Sequence, residues 1–267
     1  MLIVLCSAKG SPGVTSAGLA LAAAWPSAVI LVEADPAGGD LAVRCRTGRH
    51  GLALAETPTV ATLAAMASAE DRTGADSTLV ARTAQRLNNR IWVIPGVASA
   101  EAGAGMTDLW EPLAAVLGSS HTDVLVDAGR IDTCSPAMRL LDVADAVAVV
   151  ARADLAQVVH LRDRVRHLAD EMSARGRPTV PLVPVLVTAA RSALRDVSDV
   201  DTVLAAASGM VEPATYVTWD RASLLRLEAG ETPAGRLGRT PLVRTAQQVT
   251  DRLLAYGPHA TAEPVDR

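Results

Sequence analysis

At 267 residues and 49% hydrophobic, the chain has room for one large α/β domain or two small ones. Aromatics make up only 2% and Phe is absent, so the core must be built from Ala, Val and Leu. The net charge of −4 argues against global nucleic-acid affinity, and Cys6, Cys45 and Cys134 fit neither a disulfide framework nor a metal spacing. No apolar run reaches the ~18 residues of a membrane span. Met1 leads straight into a strand without a charged leader, so a cytoplasmic location is expected.

The first predicted element is the strand-like run Leu2–Cys6, and Leu19–Ala24 reads as a helix. Between them lies Ala8-Lys9-Gly10-Ser11-Pro12-Gly13-Val14-Thr15-Ser16. A glycine-rich loop from strand to helix suits a phosphate, because its amides can curl inward and the helix N-terminus adds partial positive charge. The ordinary phosphate loop, G-x-x-x-x-G-K-[ST], fails twice: Ala8 stands at its first glycine and Val14 at its lysine. Lys9 is the sole lysine of the chain, every other basic side chain apart from histidine being arginine, and it sits in this loop.

Val29–Val32 is the second predicted strand, ending in Glu33-Ala34-Asp35-Pro36 and a Gly38-Gly39-Asp40 loop. Carboxylates just past a strand end sit where open α/β sheets bind ligands. Residues 52–87 carry Ala-rich, helix-like runs broken by Pro58 and Gly74, with no chemistry assigned. Arg90–Ile94 reads as a strand and Asp108–Leu117 as a helix. Thr122–Gly129 then brings Asp127 to a strand end, followed by a flexible glycine.

Ala144–Val150 is a near-continuous apolar run, interrupted only by Asp145, as in a strand covered on both faces. Leu155, Val158, Val165, Leu168 and Met172 recur at helical spacing, with Arg162, Arg164, Arg166, Arg175 and Arg177 in the same region. Leu182–Val187 is another strand, Ser192–Ala207 a helix, and Leu242, Ala246, Val249 and Leu253 mark a final helical stripe. The polar tail 257–267 is expected to be disordered. Six or seven strand–helix alternations without a linker predict one doubly wound, mostly parallel α/β domain over 1–256, with helices on both faces.

The loop at 8–16 resembles the deviant Walker A, K-G-G-x-G-K-[ST], of the ParA/MinD family of P-loop ATPases. Further tight matches lie at 32–36, at 124–129 and at 216–233, where Val217-Thr218-Trp219-Asp220 is similar to a V-P-x-D segment bordering the nucleotide base. The resemblance implies ATP or ADP with Mg2+. It makes Lys9, Gly10, Ser11, Gly13, Val14, Thr15, Ser16 and Asp220 nucleotide-binding residues. Thr15 and Asp127 become magnesium ligands, and Lys9 and Asp35 catalytic groups, Asp35 by orienting the attacking water and Lys9 by reaching across a nucleotide-sandwich homodimer.

The implied partners are a second copy and a protein of a partition, pilus or secretion system, with non-specific DNA binding through Arg162, Arg166 and Arg175 and no direct membrane anchor. Two departures stand out: Val14 replaces the second lysine, and Thr188-Ala189-Ala190-Arg191 stands where the family has an adenine-reading Asn-Arg. Val14 leans the expectation toward a slow ATPase or a non-hydrolysing scaffold like the TadZ/CpaE proteins of pilus assembly. A third reading is a dinucleotide enzyme with Glu33 on a ribose. It is opposed by a glycine spacing that does not make G-x-G-x-x-G.

Overall fold

The computed structural model describes residues 1–47, 51–70, 77–207 and 209–257. The expected tail beyond Gly257 and the break at Gly74 lie outside the described residues.

In chain order the strands are β1 (Leu2–Ser7), β2 (Val29–Glu33), the short pair β3 (Arg46–Thr47) and β4 (Leu52–Ala53), β5 (Gln85–Arg86), β6 (Ile91–Ile94), β7 (Asp123–Arg130), β8 (Ala146–Arg152), β9 (Leu182–Thr188) and β10 (Thr215–Thr218). The helices are α1 (Val14–Ala24), α2 (Leu41–Arg44), α3 (Val60–Glu70), α4 (Leu79–Thr83), α5 (Ala100–Ala104), α6 (Trp110–Gly118), α7 (Leu155–Ala174), α8 (Ala193–Leu204), α9 (Arg221–Glu228), α10 (Gly235–Gly238) and α11 (Pro241–Leu254). Eight strands form one sheet in the order β10-β9-β8-β1-β7-β2-β6-β5. Every pairing in it is parallel except the β5–β6 edge hairpin.

Helices cover both faces, which is why the central strands are buried along nearly their whole length. On one face the core joins α3, α6, α7 and α8 to the sheet; on the other it joins α1, α9 and α11. With no Phe to fill space, small residues let backbones approach closely. A methyl on Gly18 of α1 would lie 3.1 Å from Leu31 of β2. Leu242, Ala246, Val249 and Leu253 are all buried, as their spacing predicts.

Three details differ from expectation. Leu155, the first residue of α7, stays exposed because Asp154 caps the helix there and the buried stripe begins one turn later at Val158. Pro184 lies inside β9, a parallel strand with a neighbour on each side, where proline is not expected. That is tolerated because regular pairing with β10 starts only after it, at Val185–Thr215. The 52–87 stretch is less helical than its alanines suggest, since β4 and β5 take its two ends. Among the described residues, no helix is long and apolar enough to cross a membrane.

Candidate functional site

The strands β1, β2, β7 and β8 end on the same edge of the sheet, and a cavity of about 850 Å3 opens there. The β1–α1 loop forms one wall, with Gly10, Ser11, Gly13, Val14, Thr15 and Ser16 all lining it. Gly10 (φ +70°) and Gly13 (φ +110°) hold the left-handed conformations that make the loop curl. A side chain at Gly10 would meet nothing within 4 Å, so the loop is unobstructed at that position.

Gly13 caps α1 without a side-chain hydrogen bond, and no acid lies in the first turn. The first backbone bond into the helix is from the Ala17 amide to the Gly13 carbonyl, at 2.8 Å. The amides ahead of it are therefore left to an anion.

The opposite wall is acidic. Parallel pairing sets Glu33 beside Asp127, and Leu5 beside Asp127 on the other side. A register irregularity between Leu5 and Ser7 bends the end of β1 next to the loop. Asp127 is 1% exposed. Its Oδ1 accepts the Gly129 amide at 2.9 Å, while Oδ2 is buried without a partner. Burial pushes its carboxyl up to about 7, opposed by the nearby Thr15 hydroxyl and by the Gly129 amide and reinforced by the charges of Glu33 and Asp35.

Asp35 is also raised by burial, and its Oδ1 accepts the Ala37 amide at 2.8 Å. It packs directly on Gly129, where a methyl group would lie 2.0 Å from Oδ2. Gly129 also sits at φ +60°, so the Asp35–Gly129 approach requires glycine twice over.

A buried, unpartnered carboxylate oxygen beside a threonine hydroxyl is the donor set of a hard divalent cation that completes its shell with phosphate and water. The acidic wall repels itself without such an ion. Thr15 and Asp127, to which the resemblance gives magnesium, are thus brought together with the phosphate-shaped loop.

Glu33 takes a different part. It is 2% exposed, and its oxygens accept the amides of Asp40 (2.7 Å), Leu41 (3.2 Å) and Gly96 (2.9 Å). A methyl on Gly39 would lie 2.1 Å from its Oε2. Its carboxylate is occupied in holding two loops, which leaves it nothing to offer a ribose.

Lys9 is exposed at the start of the loop, outside the ring of residues lining the cavity. Asp220 caps α9, accepting the Ser223 amide at 3.1 Å and its hydroxyl at 2.5 Å, and lies behind Trp219 rather than in the main cavity. At the end of β9 the Thr188 hydroxyl is engaged by Asp196, and Arg191 is exposed. Of the arginines read as a DNA patch, Arg162 pairs with Asp163 (2.7 Å) and Arg175 with Asp142 (3.1 Å), while Arg166 is exposed.

Sequence reasoning missed the cations that do line the cavity: Arg44, Arg130 and Arg152. Arg44 belongs to no motif, and only the turn Glu33 builds aims it. From α2 it donates to the Ser16 hydroxyl (3.1 Å) and to Glu228 on α9 (3.0 Å). Substituting Arg44→Ala should strand a Glu228 carboxylate that is only 11% exposed. The expected cost is about 1–2 kcal/mol, read as a lower denaturant midpoint, with part of the loss recovered by adding Glu228→Gln.

No family model matches the sequence, and neither does any curated protein. Solved structures do match. A ParA family ATPase from Chlorobium tepidum aligns with a TM-score of 0.65 at 19% identity, over 93% of this chain and 98% of that one. The Pyrococcus furiosus cell division ATPase MinD aligns at 0.68 with 15% identity, over 96% and 99%. The septum site-determining protein MinD of Pyrococcus horikoshii, solved with Mg-ADP, aligns at 0.64 with 14% identity, over 97% of both chains. At these identities the likeness establishes the fold: this chain has the architecture of the ParA/MinD P-loop ATPases along nearly its whole length.

Proposed function

We propose that the protein is a nucleotide-dependent switch of the ParA/MinD kind. In this reading it binds ATP with Mg2+, dimerises around it, and positions a cargo through a protein partner. The observation that carries the reading is the unpartnered Asp127 Oδ2 beside Thr15, facing an open, left-handed glycine loop at a helix N-terminus. Amides of Gly10–Ser16 would cradle the phosphates, the Thr15 hydroxyl and Asp127 would hold the magnesium, and Asp35 would orient water at the end of β2. Bound magnesium would screen the charge shared between the phosphates and the acidic wall.

The solved MinD with Mg-ADP and the McdA–ATP complex of Cyanothece support the choice of ligand by fold likeness. Partition and cell-division proteins among the neighbours support the positioning role in the same way.

A second reading, a scaffold that binds nucleotide without turnover like the TadZ/CpaE proteins, is favoured by Val14, which replaces a phosphate-binding ammonium with an isopropyl group packed in the core. Phosphate release under single-turnover conditions separates the two.

Lys9 is exposed and free to reach beyond its own cavity, as a residue acting across a dimer must be. Lys9→Ala should therefore abolish ATP-dependent dimerisation in sedimentation velocity while leaving the unfolding midpoint unchanged. Dimerisation that persists unaltered counts against the cross-dimer role.

A further inference from the structure

Trp219 follows directly on β10, and its amide donates to the Thr188 carbonyl at 2.8 Å, which fixes it at the carboxyl edge of the sheet. Its side chain lines the same cavity as the phosphate loop and is 46% exposed. In a chain so poor in aromatics that placement is informative. Of four tryptophans, Trp25 and Trp110 are buried and Trp92 is half-buried. Trp219 alone leaves a large π surface open, and it does so at the mouth of the candidate site. The Arg152 guanidinium, at the end of β8, stands 5.8 Å from the indole centroid and lines the cavity as well. With the cation over one indole face, the other face is left for a flat, electron-rich ring, on an indole held in place by its charged neighbour.

We propose that Trp219 and Arg152 form the wall on which the nucleobase stacks, and that stacking, rather than reading of the base edge, holds it. The site then accepts purine nucleoside triphosphates with little discrimination between adenine and guanine. This rests on the nucleotide reading above and adds what that reading lacks, a means of holding the base.

Edge reading of adenine calls for adjacent donor and acceptor, as a carboxamide supplies. Among the described residues lining the cavity there is neither Asn nor Gln. The Thr188 hydroxyl at the same sheet edge is engaged by Asp196, and Arg152 offers donors only. Stacking is indifferent to the edge, because every base has a π face.

Calorimetric titration of wild type, Trp219→Ala and Trp219→Phe with MgATP, MgGTP and magnesium tripolyphosphate tests this. Wild type should bind ATP and GTP within about tenfold of each other, and both at least about tenfold more tightly than tripolyphosphate. Trp219→Ala should weaken both nucleotides about tenfold while leaving tripolyphosphate unchanged, and Trp219→Phe should keep most of the nucleotide affinity.

An ATP preference beyond tenfold, nucleotide affinity unchanged in Trp219→Ala, or equal weakening of tripolyphosphate overturns the proposal. Wild type binding tripolyphosphate as tightly as ATP removes the base wall but leaves the phosphate loop standing. Wild type binding none of the three removes the nucleotide reading and this proposal together.

Discussion

Asp127→Asn is expected to stabilise the ligand-free protein at pH 8 by roughly 2–4 kcal/mol and to abolish magnesium-dependent nucleotide binding. The carboxyl is raised from 3.8 to about 7 by burial in the fold. Below about pH 4 it is protonated whether the chain is folded or not, and costs nothing. Between pH 4 and 7 the folded state retains a proton that the unfolded chain has released, so stability falls as pH rises. Above pH 7 the full cost of a buried, half-satisfied carboxylate is present. A pKa raised by about three corresponds to at most ~4 kcal/mol at ~1.4 kcal/mol per pH unit, and relaxation of the site lowers it.

Asparagine removes that charge, keeps an acceptor for the Gly129 amide, and puts an amide N–H toward the Thr15 hydroxyl. Glu33 and Asp35 are raised by the same cause and remain in the variant, so its stability should still fall somewhat with pH, less steeply than wild type. Urea unfolding of both proteins at pH 5 and pH 8, with calorimetric titration of MgATP, measures the two effects. An Asn variant no more stable than wild type at pH 8 would mean the wall is not strained by its charge. Undiminished binding of MgATP would remove Asp127 from the metal site.

Val14→Lys is expected to tighten ATP binding by tens-fold. Val14 is the first residue of α1, and it both lines the cavity and belongs to the apolar core on that face of the sheet, at 7% exposure. A lysine there can lay its stem along that apolar contact and carry its ammonium into the phosphate cradle. A charge-assisted hydrogen bond to phosphate is worth about 1.5–3 kcal/mol, which is roughly 10- to 150-fold in affinity.

Losing the buried isopropyl group costs stability of the order of 1 kcal/mol, so the free variant should melt slightly earlier while its ATP complex melts later. Thermal unfolding with and without MgATP shows both signs at once. A variant that folds but gains no affinity would show that residue 14 does not face the phosphates.

Much of this architecture could be read from local signals because those signals are local in origin. Continuous apolar runs at 2–6, 29–32 and 146–150 are what strands buried on both faces must contain. Gly10 and Gly13 are needed by the backbone itself, since only glycine takes those left-handed angles readily. Asp127 was legible as an acid at the end of such a run. The helix limits were less so. Alanine favours helix wherever it falls, but pairing with β6 draws Gln85 and Arg86 into a strand.

What distance in sequence separates, sequence alone could not join. Glu33 reads as one more strand-end carboxylate, and its commitment to the amides of Asp40, Leu41 and Gly96 exists only once two loops have folded against it. Arg44 meets Glu228 across 184 positions, and Arg152 at the end of β8 meets Trp219 beyond the end of β10, two strands away in the sheet.

By itself the order of residues determined a doubly wound sheet and a phosphate-shaped turn, because backbone conformation and burial pattern are set within a few neighbours. Only the tertiary structure decided which charges face the cavity, which carboxylate oxygen is left unpaired and where the open indole stands. Those depend on strand order and on loops closing over tens of residues, where no short-range preference acts.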